Sequence, residues 1–151
     1  LWNKKQAMET ENILSVSEPS VSYQSADYGM MQIIQAVREG IHYANFSAFV
    51  GRLPFSLPEW SGFLHVSERT LQRYQKEKKT FDPAQSERIM QIALLMKMGN
   101  QVFGDEKKFN AWLDADNISL GKIKPKTLLD SSFGIGLLKD ELIRIEHGVL
   151  A

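Results

Sequence analysis

Between Ile89 and Met98 only Gln91 and Lys97 interrupt a run of apolar residues, inside a segment that reads as one long helix, "FDPAQSERIMQIALLMKMGNQVFG". Asp82 is placed to cap that helix, Pro83 suits its first position, and Gly104 can close it. Apolar residues so dense occupy more than one helical face, so other helices must wrap it. Its opening, with Ser86, Glu87 and Arg88, reads as solvated. A chain of 151 residues, 43% hydrophobic, has enough apolar material to supply the wrapping. The expected fold class is all-α.

The rest of the chain offers helices to do it. From Asp27 to Glu39, Met30, Ile33, Ile34 and Val37 recur at three- and four-residue spacing, one face of an amphipathic helix that Gly40 should end. A short helix through Phe46, Phe49 and Val50 runs from Ala44 to Val50 and stops around "GRLP", where Pro54 disfavours a helical residue before it. After the long helix, "DEKKFNAWLDAD" places Phe109, Trp112 and Leu113 on one face. An irregular segment follows, "NISLGKIKPKTLLDSSFG", and then a last helix, "GLLKDELIRIEHGV", striped by Leu138, Leu142 and Ile145. No segment reads convincingly as a strand. Residues 1–26 are polar and serine-rich, which fits a mobile arm or a peripheral helix.

Two cap signals stand close together. "SLPE" at Ser56 to Glu59 is a capping box, and it starts a helix carrying Leu57, Trp60 and Leu64. Ser67 caps the next helix, so only His65 and Val66 separate the two. That is the outline of a helix-turn-helix. The turn of such motifs often has glycine where His65 stands, because the backbone there takes positive φ; histidine enters that region more readily than most residues. In the second helix Leu71 and Tyr74 can face inward with Val66, while Arg69, Gln72, Arg73 and Lys76 share another face.

Charge singles out the same stretch. The net charge of zero conceals six basic against three acidic residues in 52–81, whereas 1–51 and 82–151 are each slightly acidic. A polyanion would be met at 52–81, although a solvated surface helix can show the same excess. The candidate DNA-binding residues are Ser67, Arg69, Thr70, Gln72, Arg73, Lys76, Lys78 and Lys79. Arginine can contact guanine bidentately and glutamine adenine, so Arg69, Gln72 and Arg73 are the candidates for base edges. Lys76, Lys78 and Lys79 suit phosphates. One such module binds weakly, so a homodimer is expected, with the helices before Arg52 as its candidate surface.

Other classes find little support. The chain has no cysteine, which removes disulfides and thiolate chemistry and fits a reducing compartment. No apolar run is long enough to span a bilayer and the start lacks a signal peptide, so a cytoplasmic protein with no membrane contact is expected. His42, His65 and His147 have no metal-ligand spacing. "FGIG" at Phe133 to Gly136 lacks the full phosphate-loop pattern and a preceding strand. The expectation is a protein that is not an enzyme and uses no cofactor.

From about Phe55 to Ala151 the chain resembles the Xre-type antitoxins that carry an MbcA/ParS-like toxin-binding domain and partner RES-domain toxins. The resemblance rests on "VSERTLQRYQ", "SERIMQIALLMKMGNQVFGDEKKFNAWLDADN", "LGKIKPKTLLDSSFG" and "LIRIEHGVLA". Lys122 departs from the pattern, since relatives often have a second glycine after Gly121. The resemblance implies a helical helix-turn-helix region for DNA binding and dimerisation at 27–81 and a small helical toxin-binding domain at 82–151. It implies an antitoxin of a type II toxin-antitoxin system, which represses its own operon by binding promoter DNA and blocks the active site of an NAD-consuming RES-type toxin with its C-terminal region. The implied toxin-binding residues are Leu120, Gly121, Pro125, Arg144, Glu146, His147, Gly148, Val149 and Ala151. Leu120, Gly121 and Pro125 also fit a structural turn, and His147 a helix terminus favoured by the dipole. Trp112, Leu128 and Leu129 read as core. The alternative is a stand-alone helix-turn-helix transcriptional regulator with no toxin partner.

Overall fold

The computed structural model describes residues 23–148, which form α1 (Tyr23–Glu39), α2 (Tyr43–Val50), α3 (Leu57–Leu64), α4 (Glu68–Glu77), α5 (Pro83–Phe103), α6 (Glu106–Asp114), two 3-10 turns (Ile118–Leu120 and Pro125–Leu128) and α7 (Ser132–Glu146). Among the described residues there is no β-strand, only isolated antiparallel bridges at His42–Thr80 and Asn117–Ile123. The fold is all-α, as the periodicity predicts.

Side chains start most of these helices. The His42 imidazole accepts the Ala44 N–H, and Ser56 and Glu59 form the reciprocal capping box at the head of α3. Asp82 and Gln85 repeat that box for α5, with Pro83 in its first turn, and Gly104 closes it at φ 67°. Asp105 accepts the Lys107 N–H to begin α6. Each cap supplies a partner to a backbone N–H that has none inside the helix.

Helix α5 lies at the centre. Ile89, Met90, Ile92, Leu95, Met96 and Gly99 are buried, and α1, α3, α6 and α7 all pack on it. Burying one such large side chain is worth about 1.5–3 kcal/mol, so the run that demanded wrapping also holds the helices that wrap it. At its N-terminal end α5 meets an aromatic cluster in which Phe46 and Trp60 pack edge to face at 5.2 Å, and Phe55 and Phe63 at 5.3 Å. Near its C-terminal end Phe103, Phe109 and Trp112 form a second group.

Four expectations need correction. Ser86 is fully buried rather than solvated: its hydroxyl accepts the Ile41 N–H at 2.9 Å and donates to the Phe81 carbonyl. The chain between α1 and α2 runs beside residues 79–81 with no helix of its own, so its backbone donors need such partners. Gly40 permits this approach at φ 89°, because a Cβ there would strike the Phe81 carbonyl. Arg88, also expected in solvent, is partly buried and donates to the Phe63 carbonyl at 3.1 Å.

The last helix starts at Ser132, not Gly136. Ser131 accepts the Gly134 N–H, and Gly134 lies against the Leu128 carbonyl with no room for a side chain. The glycines that suggested irregular backbone instead allow close packing. Helix α1 likewise starts at Tyr23, inside the expected polar arm, and the rest of that arm lies outside the described residues.

Candidate functional site

Helices α3 and α4 meet at His65 and Val66. His65 takes φ 55°, the left-handed conformation expected there, and the N–H groups of His65 and Val66 bond to the Gly62 and Ser61 carbonyls to close α3. The Ser67 hydroxyl accepts the Thr70 N–H at 3.0 Å and pairs with the Thr70 hydroxyl at 2.9 Å. Leu71 is fully buried, and Tyr74 packs beside Phe81 with ring centroids 5.3 Å apart. These contacts set the rotation of α4 about its axis.

That rotation leaves Arg69, Gln72, Arg73 and Lys76 exposed. The Arg73 guanidinium lies 5.9 Å from the centre of the Tyr74 ring. Lys78 caps the end of α4 at φ 52°, and the Lys79 ammonium is 3.2 Å from the Glu77 carboxylate and 5.7 Å from the Tyr74 centroid. The ten residues of α4 put Lys78 and Lys79 about 15 Å from Ser67. The structure thus gathers four of the sequence-selected residues on one face, uses Ser67 and Thr70 as a cap, and sets two lysines beyond the far end. The exposed face offers forked donors and an amide, groups that can read base edges in a groove.

The second set of candidates lies after α6. Gly121 at φ 80° and Lys122 at φ 63° form two consecutive left-handed residues, and the Asn117 carbonyl accepts the Lys122 N–H at 2.8 Å. Lys122 thus holds a backbone conformation that glycine enters more readily than lysine. Leu120 is half-buried, Gly121 is exposed and Pro125 is buried. The second 3-10 turn carries this loop to the first turn of α7.

Arg144, Glu146, His147 and Gly148 are exposed at the other end of α7, fifteen residues and about 22 Å along. The Arg144 guanidinium is 3.6 Å from the carboxylate of Glu141, a buried side chain that restrains it. Val149 and Ala151 lie outside the described residues.

Sequence reasoning missed the apolar groups that this region exposes. Phe133 is 94% exposed and Ile118 84%, and Leu137 and Ile143 are somewhat under half exposed. Phe133 and Leu137 are one helical turn apart, off the buried stripe of Ile135, Leu138 and Leu142. Placing the start of α7 at Ser131 would have revealed that pair. An exposed apolar pair on one helical face offers a partner protein surface to cover.

An ion-pair hub joins the two halves. The Lys126 ammonium is 3.0 Å from Glu59 on α3 and 2.7 Å from Asp114 on α6, and Lys124 lies 3.5 Å from the same Asp114 oxygen. The hydrogen bond to Asp114, then that to Glu59, raises the Lys126 pKa. Asp114 is lowered first by Lys126, then by the charge of Lys124. Burial works to raise Glu59, but the Ser56 N–H and Lys126 outweigh it and the net direction is down. Nearby, His65 Nε2–H donates to the Asp130 carbonyl at 2.6 Å.

Among the described residues no helix is long and apolar enough to cross a membrane, and no group of three acidic or histidine side chains is arranged to hold a metal ion. Residues 32–93 match the model of the antitoxin Xre-like helix-turn-helix domain. Residues 98–148 match that of the antitoxin Xre/MbcA/ParS C-terminal toxin-binding domain. The chain is also similar to the protein named Antitoxin Xre of Yersinia enterocolitica serotype O:8 / biotype 1B (strain NCTC 13174 / 8081), at 31% identity over 87 residues, which are 57% of this chain and 59% of that protein. The match thus spans about three-fifths of that relative's length.

Proposed function

Because the chain belongs to the Xre-type antitoxins with an MbcA/ParS-like toxin-binding domain, we propose that it is a non-enzymatic, cytoplasmic antitoxin that neutralises a RES-type NAD-consuming toxin and represses its own operon. The supporting observation is the succession of two different exposed faces along one helical chain, one in each matched region. A tightly capped helix presents Arg69, Gln72, Arg73 and Lys76 in the region similar to a helix-turn-helix. Phe133, Ile118 and the last turn of α7 lie exposed in the region similar to a toxin-binding domain.

The division of labour is the one the residues suggest. Residues 27–81 bind promoter DNA and dimerise; residues 82–151 bind the toxin. Base edges fall to Arg69, Gln72 and Arg73 and phosphates to the lysines, with Ser67 and Thr70 holding the helix N-terminus toward the groove. The toxin meets Leu120, Gly121 and the segment from Arg144 to the end of the chain, with Glu146 and His147 at the mouth of its active site. Pro125 shapes the loop from beneath. A homodimer through α1 is supported by Met30 and Met31, which are 51% and 59% exposed on a helix with no fully buried side chain from Gly29 onward.

Co-expression with the product of the adjacent gene, followed by an NAD-consumption assay with and without this chain, tests the proposal. A stable complex with suppressed NAD loss is expected. No complex and no suppression would leave a helix-turn-helix regulator without a toxin as the better account.

A further inference from the structure

One short segment grips α3 at both of its ends. At the N-terminal end, Lys126 is 3.0 Å from Glu59, whose other carboxylate oxygen accepts the Ser56 N–H and so completes the cap of α3. At the C-terminal end, His65, the left-handed residue that closes α3, donates to the Asp130 carbonyl. Between these two points the segment stands off from the helix, leaving an open groove lined by Pro58, Gly62, Phe63 and Thr127. Leu129 of the same segment is fully buried in the core, and the two polar contacts to α3 sit at the ends of that helix.

Position matters here, because α3 is the helix against which α4 is set. Only His65 and Val66 separate them before the Ser67 cap, so a shift of His65 passes directly to the N-terminal turn of α4. Base contacts tolerate little misplacement, since bidentate donors must meet two acceptors at once. Lys126 and Asp130 lie within the region similar to a toxin-binding domain, yet the Lys126 ammonium reaches Glu59 as well as Asp114 of α6, and the Asp130 carbonyl accepts from His65.

We propose that Lys126 and His65 are positioning residues for DNA recognition: the Lys126–Asp130 segment braces α3 and so sets the angle at which α4 enters the groove. The proposal rests on the DNA-binding reading of α4. Neither residue is required to touch DNA.

The test is promoter affinity measured by anisotropy, at several salt concentrations, on a labelled duplex of the chain's own upstream region. The proteins are the full chain and its Lys126→Met, Lys126→Arg, His65→Gly and Asp114→Asn variants, each checked for helix content. His65→Gly keeps the left-handed turn and removes the imidazole. Lys126→Met and His65→Gly should each weaken binding about tenfold with the wild-type salt slope, because no phosphate contact is lost. Lys126→Arg should recover affinity to within about threefold, and Asp114→Asn, which leaves the Glu59 contact in place, should bind nearly as wild type. Undiminished binding by Lys126→Met would overturn the proposal, as would a shallower salt slope, which would make Lys126 a phosphate contact. If Lys126→Met fails to fold, undiminished binding by His65→Gly overturns it instead. A wild-type chain that does not bind the duplex would overturn the DNA-binding reading itself, and this proposal with it.

Discussion

The Phe109 ring of α6 rests on the bare Cα of Gly99 in α5, so closely that a Cβ there would overlap three ring carbons. Both residues are buried, and the ring has no flexible end to turn away. Gly99→Ala should cost about 1–3 kcal/mol, although alanine is the better helix former. Chemical denaturation checks it; stability equal to or above wild type would contradict the packing. Shortening the opposing ring in Gly99→Ala with Phe109→Leu should recover part of the loss.

Arg69→Ala with Arg73→Ala should abolish promoter binding and leave toxin neutralisation intact. Both side chains are exposed, so the double variant should melt near the wild-type temperature. Lys76→Ala should instead weaken binding to all sequences and reduce the salt slope by about one. A folded double variant that no longer neutralises would contradict the separation of the surfaces.

Deleting Glu146 to Ala151 should impair neutralisation and spare promoter binding, because α7 keeps its buried Leu138 and Leu142. Phe133→Ser should weaken the toxin complex at least tenfold, the loss of one interface anchor, without lowering the melting temperature of the free chain. Calorimetric titration with the toxin measures both effects. Full inhibition by the truncated chain would rule out a plugging tail.

The Lys126 hub makes acid stability predictable in sign. Glu59 and Asp114 are held below their ordinary values of 4.5 and 3.8. Their contribution is whole above those values and is lost as pH falls through the lower native ones. Lys126 is raised above 10.5, so its contribution is whole below that value and fades as pH rises through the raised one. Urea denaturation between about pH 3 and 6 should show stability falling toward acid, and less steeply in Lys126→Met. An unchanged acid dependence in that variant would count against the hub.

Lys122 holds a left-handed φ of 63° on an exposed loop. That conformation costs an ordinary residue about 1–2 kcal/mol, while glycine loses about 0.5–1 kcal/mol of chain entropy on folding. Lys122→Gly should therefore stabilise the chain by about 0.5–1 kcal/mol, read as a higher denaturation midpoint. Destabilisation would mean that the lysine side chain contributes a contact worth more than the strain.

Much of this was legible in the chain because local chemistry decides it. The caps at Ser56, Ser67 and Asp82 act within three residues of themselves, and the faces of α4 follow from helical periodicity, so Leu71 goes inward and Arg69, Gln72 and Arg73 outward. The left-handed turn at His65 was readable for the same reason. Even the crowding around α5 was written in its dense apolar run, interrupted only at Gln91 and Lys97.

What only the tertiary structure decided are the contacts between residues far apart in sequence. Ser86 looks like a solvated residue in the first turn of a helix until Ile41, forty-five positions earlier, brings it an unpaired N–H. Gly134 looks like a helix breaker until the Leu128 carbonyl is laid against it, and that misreading hid Phe133. Lys126 is one lysine among eighteen basic residues, and nothing near it in the chain names Glu59 as its partner. Periodicity and caps act over one turn of helix and can be read from the residues that form it. A buried hydrogen bond or an ion-pair hub exists only once the packing of α5 has brought its distant members within 3 Å or so of each other.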